Sequence, residues 1–228
     1  MFLVASSEIT DLAVVRDGKP ALWRDLRRFN APIQLAVAAA HDVVARAIAP
    51  AELAILSLAP CHAGSPELHR WVRDIGRGVS MRVNPTHTLH AVDNLALSVL
   101  TMALGNRAYG MSFGGAAGMM WTALEIALER EDNELLVLAG DQLSGFDPSP
   151  AAGVAMLFAR ERTPYAATGR LTKLVAVERK PSEATATPHA ARGAMAMLAA
   201  LRDGQPAYAV PADDGDGMTE IVVRWEIT

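Results

Sequence analysis

Apolar residues recur along this chain in two alternating rhythms, one suited to helices and one to buried strands. Residues 31–47 place Leu35, Ala39 and Val43 four apart on one helix face, and the apolar run 52–59 that follows reads as a buried strand. Ser65 followed by Pro66 predicts a helix start, with Leu68, Val72 and Ile75 on one face and Gly76 and Gly78 stopping it. Residues 93–104 predict a second apolar helix, and 109–113 a strand. The glycines Gly114, Gly115 and Gly118 then make a turn, and Met119, Ala123, Ile126 and Ala127 stripe a helix that ends near Arg130. Residues 134–139 are the next strand. Beyond a loop rich in Pro and Asp, 152–160 and 171–178 predict two strands paired antiparallel with each other, and Thr187-Pro188 opens a last helix through Leu201 that Gly204 stops. The tail 219–227 alternates Ile221, Val223, Trp225 and Ile227 against Glu220, Val222, Arg224 and Glu226, which predicts a half-exposed strand near a sheet edge. Residues 207–217, with their Asp-Gly cluster, read as a mobile loop. The alternation of strands and helices points to one α/β domain with a central sheet covered by helices.

Composition narrows the function. A chain of 228 residues can bury a sizeable core, and 51% hydrophobic with 20% charged residues excludes a disordered regulator. The longest nearly apolar stretch, 96–104, is too short for a bilayer span. Met1 to Glu8 carries no basic region ahead of its brief apolar run, so neither a secretory signal nor an anchor is expected and the location expected is cytoplasmic. A net charge of -4 without a basic stripe speaks against nucleic acid. The single cysteine, Cys61, excludes an intramolecular disulfide and the cysteine-rich zinc sites.

Three places could carry chemistry. The strand, glycine turn and helix from Tyr109 to Met119 have the geometry that presents a nucleophile or an anion at a helix N-terminus, and equally that of plain helix-on-strand packing. The turn lacks the Lys-Ser/Thr of a P-loop and the dinucleotide pattern. Cys61-His62 could pair a thiol with a base, although sequence neighbours rarely point at each other and a lone buried cysteine is usually a small hydrophobe. His87, His90 and Asp93 share part of a face only if a helix has already begun there, and satisfied polar residues at a helix start are the alternative. No Gly-x-Ser-x-Gly, His-Glu-x-x-His or Walker motif is present.

The segment Asn84-Pro85-Thr86-His87-Thr88-Leu89-His90-Ala91-Val92-Asp93-Asn94 resembles the Ser-Pro-Thr-x-Phe-x-x-Ser-Val-His-Asn segment of short β-ketoacyl synthase-like proteins, the chain length factor homologues of aryl polyene gene clusters. Leu104-Gly105, the turn from Ser112 to Gly118, the run Leu136-Val137-Leu138-Ala139-Gly140-Asp141 and Gly153-Val154-Ala155-Met156-Leu157-Phe158 follow in the order those synthases show. The resemblance implies a thiolase-like α/β fold, the N-terminal half of a β-ketoacyl synthase, with a central mixed sheet covered by helices. Residues 1–228 would form a single ketosynthase-like domain, closest to the family over 31–161, with 162–228 a divergent C-terminal extension. Two departures bear on activity. Gly115 stands where the acyl-accepting Cys belongs, and glycine cannot form a thioester. No His-Gly-Thr-Gly-Thr segment supplies the decarboxylating histidines. Asp93 and Thr88 also replace the family's His and Phe.

By resemblance, then, the chain is a noncatalytic subunit that pairs as a heterodimer with an active β-ketoacyl synthase and helps shape its acyl tunnel. The expected tunnel and partner positions are Thr88, His90, Ala91, Asn94, Leu97, Tyr109, Met111, Phe113 and Met119. No catalytic residue, cofactor or metal is expected, and an acyl carrier protein is expected to reach the subunit only through its synthase. The alternatives are a small thiol-dependent acyltransfer or thioesterase-like enzyme using Cys61 and His62, or a homodimeric module for carrier protein, for which the net acidity is awkward.

Overall fold

The computed structural model describes residues 1–58, 73–78, 94–114, 118–141, 151–162, 164–165, 171–184, 190–213 and 218–227. In chain order the elements are β1 (Phe2–Ile9), α1 (Leu12–Gly18), α2 (Pro20–Leu26), α3 (Ala31–Val44), β2 (Ala54–Leu58), α4 (Leu95–Leu104), β3 (Gly110–Phe113), α5 (Met119–Glu129), β4 (Glu134–Asp141), β5 (Ala152–Ala159), β6 (Thr172–Pro181), α6 (Ala190–Arg202), β7 (Ala207–Asp213) and β8 (Met218–Ile227). The strands form one eight-stranded sheet in the order β3-β2-β4-β5-β1-β6-β8-β7. β2 runs parallel to β3 and to β4, whereas β5 is antiparallel to both β4 and β1. The central strands β2, β4 and β5 are buried along their whole length, which is why they read as unbroken apolar runs.

Helix α3 holds one face of the sheet. Asn30 caps it by accepting from the Ile33 amide at 3.3 Å, and Pro32 occupies its first turn. Its residues from Pro32 to Ala40 are all buried, as expected of an apolar helix enclosed by a sheet beneath and helices above. Gly140 and Gly153 lie opposite each other in the β4–β5 ladder, directly under α3. A Cβ on Gly140 would come within 2.3 Å of the Pro32 carbonyl oxygen, and one on Gly153 within 2.2 Å of the Leu35 carbonyl carbon. The pair therefore lets the helix backbone rest on the sheet itself.

Helices α5 and α6 cover the other face, within a core that includes Leu56, Met120, Leu124, Leu135, Val137 and Met156. The stretch expected as a divergent extension supplies β6, α6, β7 and β8, and it packs over α5. Arg179 of β6 forks onto Glu125 at 2.8 and 2.9 Å and onto Thr122 at 2.9 Å, while Trp121 meets the Tyr208 ring with centroids 6.1 Å apart.

At the start of β4 the buried Glu134 accepts from the Ile48 amide at 2.9 Å, from the Ala49 amide at 3.0 Å and from the Tyr165 hydroxyl. Burial first, and Glu134 second, push the Tyr165 hydroxyl above its ordinary range.

Three expectations are corrected. The strands at 152–160 and 171–178 are not neighbours, because β1 lies between them: it pairs with β5 from Phe2↔Ala159 to Ile9↔Gly153 and touches β6 only through Phe2 and Leu3. Ser6, Ser7 and Glu8 hide that strand in the sequence. The expected loop at 207–217 contains β7, an edge strand that tolerates Pro211. β8, expected near a sheet edge, does lie near it, one place in and paired on both sides. Ile75, expected on an inward helix face, is 55% exposed.

Candidate partner interface

β3 is the outermost strand of its end of the sheet and pairs only with β2 among the described residues. Its outer edge therefore presents backbone donors and acceptors that a further strand can satisfy. Gly110 faces α4, where a Cβ would approach the Leu97 side chain at 3.2 Å, so the missing side chain lets α4 lie close on the edge strand. Met111 and Phe113 share the opposite face. Met111 is 36% exposed, whereas Phe113 is buried in the core beneath α5. Just before the strand, the Arg130 guanidinium lies 3.6 Å from the centre of the Tyr109 ring and pairs with Asp132, which fixes the ring beside the edge.

Helix α4 flanks this strand without a single charged side chain. Ala96 and Leu100 point into the core, Leu95, Leu97 and Val99 pack half-buried against it, and Met102 is 73% exposed. Gly105 ends the helix in the left-handed conformation at φ 60°. The edge strand therefore lies beside an uncharged helix with an exposed methionine.

The parallel strands β2, β3 and β4 all end at one pole, at Leu58, Phe113 and Asp141. Ligands in open α/β sheets gather outside such carboxyl ends. Asp141 is buried there, and its carboxylate accepts from the first amides of α6: Arg192 at 3.1 Å, with Ala191 and Ala190 beside it. Burial nonetheless dominates and pushes this carboxyl up to about 6, the backbone donors and Arg192 opposing the rise. In the sequence Asp141 stands only as the end of a strand motif. Its one signal there is a carboxylate closing an otherwise apolar run.

Of the positions expected at the tunnel and partner surface, Leu97, Tyr109 and Met111 come together around β3. Asn94 precedes α4, making no side-chain cap bond, and Met119 is part-buried against the core at the start of α5. Met120 and Trp121, which follow Met119 in α5, are core residues. Thr88, His90, Ala91 and Gly115 lie outside the described residues, as do Cys61, His62, His87 and Asp93. No group of three potential metal ligands occurs among the described residues. No helix of the described residues is long and apolar enough to cross a membrane.

No family model matches the chain, and no curated protein matches it. Solved structures do. A ketosynthase in complex with its chain length factor from Xenorhabdus doucetiae superposes with a TM-score of 0.65 at 16% identity, over 88% of this chain and 80% of that one. The chain has the thiolase-like fold of the β-ketoacyl synthases. The ishigamide ketosynthase/chain length factor aligns with a TM-score of 0.54 at 15% identity, over 89% of this chain and 73% of that one. A β-ketoacyl synthase from Burkholderia phymatum gives 0.56 at 16% identity, over 82% of this chain and 57% of that one. Ketosynthase-like architecture thus extends over most of the chain.

Proposed function

We propose that this chain is a noncatalytic chain length factor that pairs with an active β-ketoacyl synthase and helps shape the acyl tunnel of the pair in polyene or fatty-acid-like biosynthesis. The carrying observation is the outer edge of β3 beside the uncharged helix α4. The sheet's opposite edge, β7, lacks one N–H donor because of Pro211, whereas every residue of β3 retains its donor. Gly115 supports the noncatalytic part, since no side chain there can carry an acyl group. The condensing chemistry belongs to the partner, whose carrier protein supplies the chain, and a soluble cytoplasmic complex is the setting this reading implies. Thr88, His90, Ala91, Asn94 and Leu97 are the positions proposed to face tunnel or partner.

Product length from the reconstituted pair tests this reading. Ala91→Phe is expected to shorten the product while the pair stays assembled, because added volume closes the tunnel at a distance from the partner's nucleophile. An acyl-thioester probe is expected to leave residue 115 unlabelled. Unchanged product length in an intact pair contradicts the tunnel role, and stoichiometric acylation of Cys61, lost in Cys61→Ala, would favour the thiol-enzyme reading instead.

A further inference from the structure

The pole where the parallel strands begin, opposite Leu58, Phe113 and Asp141, holds a cavity of its own. It measures about 280 Å³ and opens between the turn at Ile48 and Ala49, the start of β4 and the end of β5. Ile48, Ala159, Pro164 and the Tyr165 ring give it apolar walls. Asn133, Glu134 and Glu161 supply its polar groups. Apolar walls with a few convergent polar groups are the usual make-up of a small-molecule site, and a volume just under the usual range of roughly 300 to 1,000 Å³ suits a ligand smaller than a drug.

Glu134 decides the charge of that ligand. Its carboxylate is only 8% exposed and accepts from the Ile48 amide, the Ala49 amide and the Tyr165 hydroxyl. A carboxylate offers about four acceptor positions, so three donors leave one unfilled on a buried group that lines the cavity. All three donors are neutral. Neither Glu134 nor Glu161 forms an ion pair among the described residues, and no lysine or arginine among them lines the cavity. Burying a carboxylate without a cation is costly, and a cation in the cavity would recover part of that cost. A second cavity of about 240 Å³ shares Ala49, Asn133 and Glu134, and it adds Glu52 and Glu131 to the same negative field. The walls call for carbon around the positive charge, and no three potential metal ligands come together among the described residues.

We infer that the cavity beside Glu134 binds a small aliphatic ammonium ion, with its charged head between Glu134 and Glu161 and its alkyl stem against Ile48, Pro164 and the Tyr165 ring. An ammonium head donates the hydrogen bond that the Glu134 carboxylate still lacks, and such a charge-assisted bond is stronger than a neutral one. The Tyr165 ring adds attraction for a cation near its face. Because the cavity lies at the other pole from the ends of the parallel strands, its occupancy does not depend on the proposed pairing with a synthase.

The test is isothermal titration calorimetry of n-butylammonium chloride into the chain at low salt, with n-butanol as the uncharged counterpart. Saturable binding of n-butylammonium, and none of n-butanol, is the expected result. Glu134→Gln is expected to weaken binding on the order of tenfold or more, and Glu161→Gln about threefold. Glu161 is exposed, so its variant keeps the fold and decides the matter even where Glu134→Gln does not fold. In wild type, the backbone amide resonances of Ile48 and Ala49 should move as n-butylammonium is added. Absence of saturable binding overturns the inference, as do equal affinities for n-butylammonium and n-butanol. Equal affinity of wild type and Glu161→Gln, or amide shifts confined to other parts of the chain, overturns it as well.

Discussion

Replacing Gly153 with alanine is expected to destabilise the fold strongly. The new methyl carbon would fall 2.2 Å from the Leu35 carbonyl carbon and 2.5 Å from both the Leu35 oxygen and the Ala36 nitrogen, all of them backbone atoms. A flexible side chain could swing aside, but a helix backbone buried on every side cannot. Overpacking a core ordinarily costs about 1 to 3 kcal/mol. Here α3 must lift from three strands at once, so the upper end of that range or beyond is expected, against total domain stabilities of roughly 5 to 15 kcal/mol. Gly140→Ala, with a contact of 2.3 Å to the Pro32 oxygen, should behave alike. Gly18→Ala is the control, because nothing lies within 4 Å of its added carbon. Urea midpoints for the three variants check the argument: near-wild-type midpoints for Gly140→Ala and Gly153→Ala would show that α3 does not rest on the glycine pair.

The second large effect concerns Asp141 and pH. Its folded carboxyl titrates at about 6, raised from the ordinary 3.8 chiefly by burial. Between those values the native state binds more protons than the unfolded chain, so the group's contribution to stability is fully present below the lower value and is lost as pH rises through the upper one. A difference of about two pH units corresponds to roughly 3 kcal/mol at most. The neutral side-chain amide of the Asp141→Asn variant keeps an acceptor for the α6 amides without a charge. The variant should therefore match or trail wild type near pH 4 and gain on it steadily toward pH 7. Parallel stability curves would mean that the amides of Arg192, Ala191 and Ala190 outweigh burial and that the carboxylate is ionised throughout.

Both sites show what the sequence could and could not disclose. The alternation of α3, β2, α4, β3, α5 and β4 was readable because each element buries a continuous face and so carries its own period. Gly140 and Gly153 were visible as motif residues, but their function as a bed for α3 depends on their being opposite each other across a ladder, which is a tertiary fact. β1 escaped notice because Ser6, Ser7 and Glu8 dilute its apolar run, and the strand order escaped because pairing partners leave no local trace. β7 looked like a loop for the same reason an edge strand can look like one: it holds Pro211 and is bordered by Asp and Gly. At the candidate interface, Met111 and Leu97 were legible through resemblance.

The central claim is that β3 is where a synthase joins this chain. Co-expression of the chain with its synthase, followed by size exclusion with light scattering, measures it directly when repeated with Met111→Asp. Met111 is partly exposed at the edge in the lone chain, so the substitution should leave the isolated protein folded, yet in the pair it would bury a carboxylate with no partner and weaken association by several kcal/mol. A stable one-to-one complex with wild type, lost with Met111→Asp while the variant remains soluble, is the expected result. A complex that survives the substitution unchanged, or a wild-type chain that stays monomeric beside its synthase, would contradict the assignment of β3 and with it the chain-length role.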